Sequence, residues 1–280
     1  MDQRPETNET RRMPVLFIGH GSPMNAIEDN EWSRGFRRLA TLLPKPKAIL
    51  SISAHWYVPG TYLTGDAHPK TIHDFGGFPD ELFEMEYPAP GDVALANRVA
   101  GLLDGERASL TTRWGLDHGT WTVLHQLRPD ADCPVVQLSI DADISPAEHL
   151  AIGRKLVPLR DEGILIMGSG NIVHNLGYAM TSDRLGNVST PPWAARFDEA
   201  VGGAIERRDG DALVRMIDTE DGRMSHPTLD HYLPLLYAVG AAGAAANRGD
   251  RAGNGGAVSF PITGFDMGSL SMRAALFDAA

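Results

Sequence analysis

Short apolar runs and helical stripes alternate along this chain. Residues 13–18 (MPVLFI), 48–53 (AILSIS), 134–140 (PVVQLSI), 163–167 (GILIM) and 258–262 (VSFPI) have the length and composition of strands. Between them the spacing turns helical. In 31–43 the apolar positions are Trp32, Phe36, Leu39 and Leu43. In 92–103 they are 93, 95, 96, 99, 102 and 103. Residues 119–127, 146–160, 193–207 and 232–246 also read as helices, with Pro234 in the first turn of the last one. The pattern fades over 59–90, which is rich in Gly, Pro and aromatics and long for a structureless loop, so a functional role is expected there. A Gly-rich segment, 248–256, reads as flexible. This alternation predicts an α/β fold: a single three-layer α/β/α domain over 13–280 with a mostly parallel or mixed central sheet. A polar, flexible N-terminal tail is expected over 1–12.

Composition narrows the partners. The 280 residues are 42% hydrophobic, enough for a large core, and the formal charge of −11 opposes binding to nucleic acid or an anionic membrane. The single cysteine, Cys133, rules out an intrachain disulfide and a thiolate metal cage. No apolar run reaches membrane-spanning length, and the N-terminus lacks the apolar core of a signal peptide. A cytoplasmic location is expected, and the oligomeric state is not readable.

The candidate chemistry lies in histidines at the ends of apolar runs, where α/β folds place their sites. His20 sits between two glycines after the first run, and His55 follows the second. His174 follows the fourth through the small-residue loop GSGN, as either a metal ligand or a general acid/base. His231 precedes an apolar helix and is preferred over His226, which reads as an exposed turn histidine. His118 follows Asp117, a natural helix cap, and reads either as part of a structural capping loop or as a histidine that supports a metal ligand or touches the substrate. His73 lies in the aromatic loop, which could stack on an aromatic ligand. His68, His125 and His149 read as ordinary surface or helix residues. Neutral imidazoles gathered from distant segments point to one mononuclear metal site.

Six motifs, in order, carry a resemblance: GHGSPM (19–24), SAHW (53–56), TIHDFGGFP (71–79), DHGTW (117–121), GSGNIVHNL (168–176) and DHYLPLLYAVGA (230–241). Together they resemble the class III extradiol ring-cleavage dioxygenases, within them the 4,5-DOPA dioxygenase family. The resemblance implies a non-haem Fe(II) site, with Zn(II) as a common occupant of purified members. It implies His20, His55 and His231 as metal ligands, and His174 as the acid/base that also approaches the metal closely. It implies His118 as a catalytic and substrate-contacting residue, with His73 and Trp56 as further substrate contacts. Asp266 is a lower-ranked carboxylate candidate for the metal. The implied reaction cleaves a catechol with O₂: L-DOPA would be opened between carbons 4 and 5 to seco-DOPA, which cyclises to betalamic acid. Two rivals use the same imidazoles: a zinc-dependent hydrolase and a metal-storage or sensing protein.

Overall fold

The computed structural model describes residues 12–103, 108–186, 189–243 and 257–278. The expected tail (all but Arg12), the Gly-rich segment and residues 244–246 lie outside them. An eight-stranded sheet forms the middle layer. Its strands are β1 (Val15–Gly19), β2 (Ala48–Val58), β3 (Tyr62–Thr64), β4 (Ser109–Thr111), β5 (Val135–Asp141), β6 (Ile164–Gly170), β7 (Val258–Ile262) and β10 (Ala274–Phe277). A small hairpin of β8 (Phe265–Asp266) and β9 (Leu270–Ser271) lies apart. The order across the sheet is β4-β3-β5-β2-β6-β1-β10-β7. The central four strands, β5-β2-β6-β1, are parallel, while β10 joins β1 antiparallel and β3 joins β5 antiparallel. The sheet is therefore mixed.

Strand alternation builds two cores. Val15 and Phe17 of β1 and Leu50 and Ile52 of β2 face one side, packed with the helices Val93–Leu102, Pro146–Lys155, Pro192–Glu206 and Leu233–Ala241. Leu16, Ile18 and Ile49 face the other, packed with Glu31–Ala40 and His118–Leu127. Burial on both faces explains why these strands read as unbroken apolar runs.

The structure revises several boundaries. β2 runs on to Val58, so His55 and Trp56 sit inside the strand rather than after it. Its register with β5 shifts between Ile52 and Tyr57, which frees the segment carrying His55 from that ladder. Such bulges re-aim side chains beside active sites. β6 continues through Gly168-Ser169-Gly170, expected as loop, because β1 and β2 pair with those residues. The segment 146–160 is two helices, with Pro158 starting the second. The aromatic stretch 59–90 contains β3 and the short helix Asp80–Glu84. Among the described residues, no helix is long and apolar enough to cross a membrane.

Candidate metal centre

The carboxyl ends of β1, β2 and β6 meet at one crevice. His20 leaves β1, His55 projects from the bulged end of β2, and His174 follows β6. His118 opens the helix His118–Leu127, whose start is capped by the Asp117 carboxylate accepting from Thr120 N–H. His231 precedes the helix Leu233–Ala241. Gly170 lets this entrance down onto β6: a Cβ there would collide with the His231 carbonyl oxygen.

Five imidazoles result. Ring centres of His20, His55 and His231 are nearly equidistant, at 5.0, 5.2 and 5.1 Å. His118 packs on His55 at 3.8 Å and stands 5.9 Å from His20. His174 stacks flat on His231, at 3.5 Å and 3°. Nitrogens of His20, His55 and His118 also lie within 4.8 Å of one another.

Acceptors beside each Nδ1 bias the tautomers. The Ser169 hydroxyl donates to the Gly119 carbonyl at 2.5 Å, so its oxygen accepts from His20 Nδ1 at 3.0 Å. Asp74 Oδ2 stands 3.2 Å from His55 Nδ1, and Asp230 Oδ2 contacts His231 Nδ1. In the neutral ring each Nδ1 therefore favours the hydrogen, and each Nε2 offers a lone pair. If both rings are neutral Nδ1–H tautomers, the His20 and His55 Nε2 atoms face each other lone pair to lone pair at 3.1 Å. Two lone pairs at that range repel. A proton on His55, whose pKa is raised, relieves this repulsion through an Nε2–H···Nε2 bond, and so does a metal ion: nitrogens bound at about 2.1 Å to one ion stand about 3.0–3.4 Å apart, with ring centres about 5 Å apart. Acceptors behind Nδ1 are the usual support of metal-binding histidines.

The electrostatics agree. Burial first, then the neighbouring imidazoles, hold His20 and His231 well below the ordinary histidine pKa. Burial and His55 lower His118 against the pull of Asp74. For His55, burial opposes protonation, but Asp74, Asp117 and Asp230 outweigh it and the net shift is upward. Burial takes His174 down to about 4. Asp74 is held far below the usual carboxylate range by His118 and His55, although burial raises it. The cluster thus holds mostly neutral imidazoles, the ligating form.

Residues 14–256 match the family described as the catalytic LigB subunit of aromatic ring-opening dioxygenase. The chain belongs to this LigB family. It is 47% identical over 93% of both chains to the 4,5-DOPA dioxygenase extradiol of Escherichia coli K12. The enzyme of that name from Beta vulgaris is 39% identical, over 82% of this chain and 87% of its own. A crystal structure of an uncharacterised Escherichia coli K12 protein superposes with a TM-score of 0.80 at 42% identity, covering 95% of this chain and all of that one. The protein is an extradiol ring-cleavage dioxygenase of the 4,5-DOPA dioxygenase type, and as a LigB enzyme it is metal-dependent and acts on a small molecule with O₂.

Within this LigB chain, His73 and Trp56 do not join the imidazoles. His73 Nε2 bonds the Met85 carbonyl at 2.9 Å, and its ring connects to the cluster through Phe75, which meets His118 edge-on at 5.5 Å. Trp56 is buried, stacks on Trp114 at 5.6 Å and lines a cavity of about 520 Å³ with Arg113 and Tyr62. Asp266 keeps company with Trp32, Glu28 and Glu31. His226, expected exposed, is buried against the Ile172 carbonyl at 2.7 Å. His149, expected ordinary, is fully buried and pairs with the Tyr237 hydroxyl. Three supports carried no role in the sequence reading: Asp74, Ser169 and Asp230. The adjacent pairs His73-Asp74 and Asp230-His231 were the available signal for two of them.

Proposed function

We propose that the chain is a Fe(II)-dependent dioxygenase that opens the ring of L-DOPA, or a close catechol analogue, between carbons 4 and 5. The observation that carries the metal half is the pair of Nε2 atoms facing each other at 3.1 Å with an acceptor beside each Nδ1. The substrate half rests on the names of the relatives.

His20, His55 and His231 hold the metal in this reading. A ligated ion lies in the plane of its imidazole, and rings stacked 3.5 Å apart share no such point, so His174 is excluded once His231 binds. His118 is assigned to the substrate rather than the metal because its ring leans on the face of His55 at 3.8 Å. When bound, the metal acidifies a catechol hydroxyl and brings the two reactants together. His118 and His174 then flank the site from opposite sides, one against His55 and the other against His231. His118, with Nδ1 turned to Asp74, presents Nε2 to a substrate hydroxyl proton. His174, neutral by burial, takes the second hydroxyl proton and returns it to the product oxygen. Phe75, packed on His118, walls the ring side.

The test is anaerobic Fe(II) loading, then L-DOPA and air. A yellow, visible-absorbing product is expected, with no turnover in the Zn(II)-loaded protein. Turnover of esters or amides by the Zn(II) form, without catechol cleavage by the Fe(II) form, would favour the hydrolase instead.

A further inference from the structure

We propose that Asp74 is a positioning residue whose single carboxylate serves both the metal ligand His55 and the substrate-side imidazole of His118. This rests on the metal reading above. One oxygen, Oδ2, lies 3.2 Å from His55 Nδ1 and 3.0 Å from His118 Nδ1. The other, Oδ1, accepts the backbone N–H of His118 at 2.9 Å. A carboxylate only accepts, so its charge at these distances favours N–H on both Nδ1 atoms and leaves the Nε2 lone pairs free, although the His118 Nδ1 lies off the line of a hydrogen bond in this rotamer. One side chain therefore aims His55 at the metal and His118 at the substrate, two jobs that separate groups could have held.

The aromatic loop is anchored without this carboxylate. Thr71 Oγ1 accepts from Tyr87 N–H at 2.9 Å, Ile72 N–H donates to Leu116 O at 2.8 Å, and the Trp121 indole donates to Ile72 O at 2.9 Å. Removing the Asp74 charge should leave the loop moored while releasing both imidazoles. In Asp74→Asn, one oxygen becomes an amide donor. Whichever way the amide turns, a donor meets either the two imidazole N–H groups or the backbone N–H of His118. The substitution therefore disturbs orientation at nearly constant volume.

The experiment uses the full chain and measures Zn(II) affinity by competition with a chromophoric chelator, and kcat and KM with the Fe(II)-saturated enzyme. Asp74→Asn is expected to bind Zn(II) about 10- to 100-fold more weakly, the usual cost of losing an outer partner of a ligand. At saturating Fe(II) its kcat should fall by at least about tenfold through His118, with KM within about threefold because Asp74 does not touch substrate. Thr71→Ala, which loosens the loop alone, should bind Zn(II) within about twofold of wild type. Wild-type Zn(II) affinity in Asp74→Asn, or an equal loss in Thr71→Ala, overturns the proposal. Failure of the metal reading looks different, because wild type itself would then bind no Zn(II). Should Asp74→Asn not fold, nitrogen-15 NMR of the Zn(II)-loaded wild type decides: both His55 and His118 should be Nδ1–H tautomers, and Nε2–H on either contradicts the shared carboxylate.

Discussion

Gly119, the second residue of the helix His118–Leu127, lies against the metal ligands where only a hydrogen fits. A Cβ there would stand 2.5 Å from Ser53 Oγ, 2.8 Å from His55 Cδ2 and 3.4 Å from His20 Cε1. Its carbonyl also accepts the Ser169 hydroxyl that supports His20. Gly119→Ala sets two effects against each other. Helix propensity favours alanine by about 1 kcal/mol, and overpacking costs about 1–3 kcal/mol, so net stability should fall by no more than about 2 kcal/mol. The site suffers more, because the atoms forced to move belong to a ligand. Metal affinity should drop about 10- to 100-fold, and turnover at saturating Fe(II) about 100-fold, as for a displacement near 1 Å. Gly101→Ala is the control: its Cβ meets open space in the helix Val93–Leu102. That variant should gain up to about 1 kcal/mol with full activity. Chemical unfolding, chelator competition and steady-state kinetics read the three quantities. If Gly119→Ala binds metal and turns over like Gly101→Ala, His55 and His20 are not the ligands.

Ser169→Ala removes the acceptor that biases the His20 tautomer, so metal affinity should weaken about tenfold while L-DOPA KM at saturating Fe(II) holds; unchanged affinity would remove Ser169 from the metal's support. Stability of the metal-free protein should depend on acid through His149, whose pKa burial depresses to about 4. The unfolded chain, titrating near 6.5, takes up that proton first, so stability is full above about pH 6.5 and declines toward pH 4. Between pH 7 and pH 5 His149 alone should cost about 2 kcal/mol, measurable by urea unfolding and absent in His149→Gln. An equal acid loss in that variant would contradict the assignment.

Much of the site was legible because strand ends are. His20 and His174 follow apolar runs buried on both faces, and the helix entrance carrying His231 was marked by its long apolar continuation. What escaped depends on contacts between remote segments. β10, from the end of the chain, inserts beside β1 and gives no sign of that partner in four residues. Asp74 acquires its role only when the aromatic loop folds onto His118. His149 and His226 looked ordinary because the hydroxyl and the carbonyl that satisfy them lie 88 and 54 residues away.

The ligand set is the centre of the account, and anomalous diffraction at the iron edge from anaerobically loaded crystals reads it directly. One peak is expected, about 2.0–2.3 Å from Nε2 of His20, His55 and His231, with His118 and His174 flanking it unbound. A peak held by His20, His55 and His118 with His231 standing away, or no peak within the cluster, would contradict it.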